Sequence, residues 1–127
     1  METRLSGSGE DRRRKRSDDP LVALHHQLSH ARTDGDFEAV VLADPSGVVV
    51  AGAGSWAVCE ELAAYAPLFA RDEPDLSGHV EVLRREVVVH AMHIDGQEVF
   101  LCVRGGRERR AVIARAAEGV TRILQAA

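Results

Sequence analysis

The sequence predicts an α+β domain, a three-layer α/β/α sandwich around an antiparallel sheet. Two observations carry the sheet. Short β-branched runs, Ala39 to Ala43 and Val48 to Ala51, flank the turn residues Asp44-Pro45-Ser46-Gly47. A second pair, Glu86 to Ile94 and Gln97 to Val103, flanks Asp95-Gly96, a strong hairpin signal. The third observation is the placing of helical spacings before, between and after these pairs. Elements in that order pack as helices against a mainly antiparallel sheet.

The totals agree with one domain. The chain has 127 residues, enough for a single core. Hydrophobic residues make up 45% and aromatics only 4%, so the interior must be built from Val, Leu, Ile and Ala. No apolar run approaches the roughly 18 residues a membrane span needs. The charged N-terminus lacks the apolar stretch of a secretory signal, so a cytoplasmic protein is expected. Cys59 and Cys102 follow no metal or redox spacing and sit in apolar stretches. Buried, reduced thiols are expected, with a disulfide as the alternative.

Charge is uneven along the chain. Residues 20–103 carry four basic and thirteen acidic side chains, whereas residues 104–127 carry six basic and two acidic. An acidic body favours steering of a protein partner over nucleic-acid binding by the body itself.

Residues 1–19 have almost no apolar anchors and are expected to form a disordered basic and polar tail. The domain proper is residues 20–127. The run Arg12 to Arg16 suits contact with nucleic acid or an anionic membrane. Its flanking acids, Asp11, Asp18 and Asp19, favour a solvated tail instead. Asp19 and Pro20 mark a helix start, an acid at the N-cap followed by proline. Leu21, Leu24, Leu28 and Ala31 then form one helical face. His25, His26 and His30 lie on or near the other side, and the four-residue spacing of His26 and His30 suits a shared metal only if a third ligand joins them. None is evident nearby, so exposed helix histidines are expected. Thr33 to Asp36 ends the helix.

In the first hairpin, proline second and glycine fourth suit a type I turn. The corner Gly52-Ala53-Gly54-Ser55 lacks the lysine and spacing of a phosphate loop, so it is read as a sharp strand-to-helix turn. Ser55 stands at the N-cap of the next helix. Cys59, Leu62, Ala66 and Phe69 form its buried stripe, and Pro67 kinks it or marks its last regular turn. Trp56 and Tyr65 on this helix suit either core packing or an interface anchor. His79 to Leu83 alternates weakly and is read as a short strand. His90 and His93 point to opposite faces of the following strand, one more buried and one more exposed. Gly105-Gly106 precedes a last helix, Arg107 to about Ala126, whose apolar face is Ile113, Ala116, Ala117, Val120, Ile123 and Leu124. Arg115, Glu118 and Arg122 sit on its other side. Arg107, Arg109 and Arg110 crowd its start, where the helix dipole disfavours positive charge.

These pieces, in this order, resemble the roadblock/dynein light-chain family over about residues 20–126. Asp44, Gly47 and Ala51 occupy the family's D-x-x-G-x-x-x-A turn-and-strand pattern. Glu60-Glu61-Leu62-Ala63-Ala64, the Asp95-Gly96 hairpin and Gly119 to Leu124 supply the rest. The resemblance implies the order αββαβββα, with a five-stranded antiparallel sheet, the central helix on one face and the terminal helices on the other. It implies a non-enzymatic module that forms a homodimer, or a heterodimer with a paralogous roadblock protein, through central helices and sheet edges. It implies a partner among Ras-like small GTPases or their signalling scaffolds; the residues themselves give no sign of a cofactor or metal. The Ala-, Val- and Arg-rich composition looks bacterial.

The residues add detail of their own. Ala63, Ala64, Ala66 and Ala70 would let another helix approach closely. Glu60, Glu61, Ala64, Tyr65 and Leu68 lie partly outside the buried stripe and are the candidate dimer or partner surface. A strand at His79 to Leu83 would be an edge needing a partner, which adds Val80 and Val82 to that surface. The rival reading is a small-molecule-sensing domain with a pocket between sheet and helix, motivated by six histidines and the glycine corner. Ser55, His79, His90 and Asp95 have no spacing that indicates a catalytic triad.

Overall fold

The computed structural model describes residues 19–71 and 78–126, with Gly78 and His79 as backbone only. Nearly all of the N-terminal tail and the polar break at residues 72–77 lie outside the described residues. The elements in chain order are α1 Pro20–Gly35, β1 Phe37–Ala43, β2 Val49–Ala53, α2 Trp56–Ala70, α3 Gly78–Glu86, β3 Val87–Ile94, β4 Gln97–Gly105 and α4 Arg109–Ala126. Four strands pair antiparallel in the order β2-β1-β4-β3.

Period-two alternation divides the core into two layers. Val40 and Leu42 of β1, with Leu101 and Val103 of β4, meet Leu24, Leu28 and Ala31 of α1 and Val112, Ile113, Ala116 and Val120 of α4. The neighbouring side chains Ala39, Val41, Ala43, Phe100 and Cys102 meet Cys59, Leu62, Ala63 and Ala66 of α2 and Leu83 of α3. The terminal helices thus share one face and the central helix takes the other, as the resemblance implied. Covered on both faces, β1 is buried along its length except at Glu38.

The expected fifth strand is not found among the described residues. His79 to Leu83 belongs to α3, a helix. Its strand-like alternation is outweighed by the three-residue spacing of Val80 and Leu83. That spacing buries both, at 6% and 3% exposure, while Val82 between them is 54% exposed. Glu81 and Arg84 approach to 4.0 Å at the same helical spacing. The order is therefore αββααββα, and the sheet edges are β2 and β3.

The helix ends show which local signals held. Asp19 accepts a hydrogen bond from the Val22 N–H at 3.2 Å, and Pro20 opens α1. Leu21, expected on the buried face, is 49% exposed because it precedes the first turn that reaches the sheet. Ser55 stands before α2 in extended backbone, but its hydroxyl makes no capping bond. Pro67 is buried in the last turn of α2, which runs on to Ala70. Cys59 and Cys102 are buried free thiols. Burial pushes the Cys102 thiol up to about 12, with Cys59 adding to the shift.

Phe37 closes one end of the sandwich. Its ring lies over the backbone of Gly35 and Gly106, where any Cβ would collide with it. The Arg107 N–H donates to the Gly35 carbonyl at 2.8 Å alongside. At the other end, the Asp44 to Val48 turn is held by one carboxylate. Asp44 Oδ1 accepts from the Ser46 hydroxyl at 2.6 Å, the Ser46 N–H at 2.9 Å and the Val48 N–H at 3.1 Å. The Gly47 N–H closes the turn onto the Asp44 carbonyl at 3.0 Å.

The Ser46 hydroxyl, then the Val48 N–H, hold the Asp44 carboxyl below its ordinary range. A depressed folded pKa gives stability that is present above the unfolded pKa and lost as pH falls through the folded one. Asp44→Asn should therefore reduce the loss of stability on acidification below about pH 4. Urea midpoints at a series of acidic pH values measure it, and parallel curves for the two proteins would refute it.

Candidate functional site

The outer surface of α2 is built by the helix's own pattern. Cys59, Leu62, Ala63, Ala66 and Pro67 turn inward, and Val58, Tyr65 and Phe69 pack partly against the same layer. Of the candidate residues, Glu60 and Ala64 are exposed, and Glu61, Tyr65 and Leu68 are half-buried. Tyr65 stacks on Phe69 with ring centroids 5.7 Å apart, and the Arg84 guanidinium lies 5.5 Å from the Phe69 centroid. These contacts place Tyr65 and Phe69 on the side of α2 toward α3. The small Ala64 on the opposite side lies against the β1–β2 turn, where a Cβ on Gly47 would stand 3.4 Å from the Ala64 Cα.

Glu61 is engaged by the fold. Arg104, at the end of β4, approaches Glu61 at 3.6 Å, Glu38 at 3.3 Å and Glu86 at 2.9 Å. One guanidinium thus joins β1, α2 and the end of α3. With Arg104 only 24% exposed at its side chain, these pairs are better shielded than ordinary surface pairs. The cluster had no sequence signal, because its four members come from four separate elements.

Val80 and Val82 do not share a face. Val80 packs inward and Val82 points to solvent, so α3 contributes one of the two to an accessible surface. The strand edge expected there belongs to β3, which is hydrogen-bonded to β4 alone among the described strands. Val87, Val88 and Val89 on it are half-buried, and His90 and His93 are both exposed. The expected buried member of that histidine pair is absent: His90 borders the open groove beside the last helix, while the neighbouring Met92 and Ile94 take the buried positions on β3. His93 lies 3.7 Å from Glu98 on β4.

A groove runs between β3 and α4. One part, of about 600 Å³, is lined by His90, Met92, Ala114, Ala117, Glu118, Thr121 and Arg122. The adjoining part, of about 410 Å³, shares His90 and Ala114 and adds Val88, Ile113, Arg109 and Arg110. The arginines at the start of α4 have neighbours that offset the dipole. Arg107 approaches Asp36 at 3.6 Å, and Arg109 donates to the Glu86 carbonyl at 3.3 Å. Arg115 reaches across to Asp34 on α1 at 2.7 Å, a bond that lowers the Asp34 pKa.

The remaining sequence candidates are scattered. His25 Nδ1 lies 3.0 Å from the Gly52 carbonyl, tying α1 to β2, while His26 and His30 are exposed on α1. Among the described residues no three metal-binding side chains come together. Ser55 precedes α2, His90 lies within β3 and Asp95 occupies the hairpin tip at φ 53°. The His79 side chain lies outside the described residues.

Comparison with solved structures decides the architecture. The chain is similar to Myxococcus xanthus MglB, with a TM-score of 0.54 and 18% identity over 83% of this chain and 90% of that one. A structure described as MglB with tetrameric arrangement gives 0.58 and 17% over 85% and 93%. The chain has the roadblock fold. The gliding protein MglB from Thermus thermophilus agrees, at 0.52 and 14% over 85% and 93%. No protein-family model and no curated protein matches the sequence. At these identities the likeness establishes the roadblock fold and leaves the roles of individual residues to the geometry above.

Proposed function

We propose that the chain is a dimeric, non-enzymatic interaction module that binds and regulates a Ras-like small GTPase, or scaffolds a signalling complex containing one. The observation that carries this reading is the roadblock fold shared with MglB over more than four fifths of the chain. The sequence resemblance to the roadblock family supplies the partner class. The dimer forms through the outer face of α2, with Glu60, Glu61, Ala64, Tyr65 and Leu68, and through the β3 edge. A strand paired on one side presents a ready row of backbone donors and acceptors. Of the two α3 candidates, Val82 is exposed and Val80 is buried. No described helix is long and apolar enough to cross a membrane, which is compatible with a cytoplasmic setting.

Two measurements test the reading separately. Affinity capture with the intact protein should enrich a small GTPase or a signalling protein over a control bait. Failure to enrich either removes the GTPase half. Light scattering at micromolar concentration should give a dimer, and a monomer would remove the other half. Ala64→Arg places a long charged side chain on the α2 face and should weaken the dimer by roughly tenfold or more. Ala64 is exposed, so the variant should keep its fold.

The groove between β3 and α4 supports a second reading, a pocket for a small molecule between sheet and helix. Its mixture of Met92, Ala114 and Ala117 with His90, Glu118, Thr121 and Arg122 matches the largely apolar, sparsely polar lining of such sites. A reproducible added mass in native mass spectrometry would favour it.

A further inference from the structure

Trp56 is the largest side chain of α2 and the only tryptophan in the chain, yet it is 57% exposed. It is one helical turn from Glu60, so the two side chains share a face. With Gly47, Val48 and Val49 they line a recess of about 320 Å³ at the β2 edge of the sheet. Val48 is itself 57% exposed. Among the described residues no cation pairs with Glu60. An indole face, a carboxylate and an apolar floor in one recess are the parts that hold a guanidinium or ammonium group. The ring attracts the cation, the carboxylate neutralises it, and the valines cover its aliphatic stem.

We propose that this recess is a docking site for a basic segment, and that its occupant is the chain's own Arg12 to Arg16. Three facts select that segment. It is the only run of five consecutive basic residues in the sequence. The body is opposite in sign, with thirteen acidic against four basic side chains over residues 20–103. The third fact is where the described chain begins. α1 packs on β1 and β2, and His25 contacts the Gly52 carbonyl on the edge strand β2. Asp19 is six residues before His25, about 9 Å along the helix axis. Gly52 in turn is four residues before Trp56. The seven residues from Arg12 to Asp18 span up to about 24 Å when fully extended, which sets the reach of the segment from the start of α1. Tethering at that distance gives an effective concentration in the millimolar range, which lets a weak cation site fill. The docked segment covers the Trp56 end of α2, so any partner that uses this end must displace it. The site lies at the sheet edge opposite β3 and does not depend on the GTPase reading.

Trp56 reports on its own site. In the full-length protein, replacing Arg12, Arg13, Arg14, Lys15 and Arg16 together with Ser should make acrylamide quenching of the tryptophan about twofold steeper. High salt should move the native protein toward the same value. Glu60→Gln should reproduce the change in the native background and add nothing in the Ser-substituted one. Glu60 is exposed, so this variant folds. Equal quenching in the native and Ser-substituted proteins would overturn the proposal. An undiminished Glu60→Gln effect in the Ser background would also overturn it. In the Ala64→Arg background, where the α2-face dimer is weakened, quenching that varies between roughly 1 and 100 µM protein would assign the contact to another molecule and overturn the intramolecular occupant.

Discussion

Leu83→Ala should cost about 2–5 kcal/mol of stability, the range for emptying a buried leucine site. Val82→Ala should change it by no more than about 0.5 kcal/mol. Leu83 is 3% exposed and packs beneath α2 with Phe100, Cys59 and Leu62, whereas Val82 is 54% exposed. The comparison separates helix from strand over residues 78–86. In a strand, Val80 and Val82 would share a face and Leu83 would take the other, so the two valines would behave alike. In α3, Val80 and Leu83 share the buried side. Chemical denaturation of Val80→Ala, Val82→Ala and Leu83→Ala decides it. Equal losses at Val80 and Val82 would contradict the helix.

Gly106→Ala is expected to be as damaging, at about 2–5 kcal/mol. Gly106 adopts φ 81°, where an L side chain costs roughly 1–2 kcal/mol. An added Cβ would also stand 2.6 Å from the Gly35 carbonyl oxygen and collide with the Phe37 ring. The ring has nowhere to retreat, since Gly35 backs its other side, and overpacking of this kind costs about 1–3 kcal/mol more. Gly96→Ala supplies the control. Gly96 has φ 79°, but nothing lies within 4 Å of its Cβ position, so only the backbone penalty applies. The difference between the two denaturation midpoints isolates the packing contribution. Similar midpoints would mean that Phe37 yields without cost.

The contrast between α3 and the rest of the fold shows what the sequence could and could not disclose. The two hairpins were legible because each is written locally. Asp44 to Gly47 carries its own side-chain acceptor, and Asp95-Gly96 supplies the positive φ values of 53° and 79° that a tight turn requires. The start of α1 was legible for the same reason, since Asp19 caps within three residues. The segment Val80-Glu81-Val82-Leu83 was not, because four residues satisfy a period of two and a spacing of three equally well. What decides is the buried space under α2, which lies far away in sequence.

The candidate surface divides in the same way. The exposed positions Glu60 and Ala64 follow from the helical period alone. The engagement of Glu61 by Arg104 does not, because the pair is 43 residues apart and is completed by Glu38 and Glu86. Arg115 likewise read as a neighbour of Glu118, yet its partner is Asp34 on another helix. Long, flexible charged side chains take their partners from the tertiary fold, and sequence spacing alone does not choose between them.

Among the described residues β3 is paired on one side only, which bears on how this protein must be handled. Eight residues with a Val87-Val88-Val89 start form a template on which other chains can grow. The strand itself carries neither the lysine nor the proline that commonly blunts an exposed edge. Two histidines and the neighbouring Glu98 are its guard. Refolding yield should then fall as protein concentration rises, unless native assembly covers the strand first. Quaternary structure would in that case act as this chain's protection against aggregation, and its solubility would depend on whether the edge is occupied.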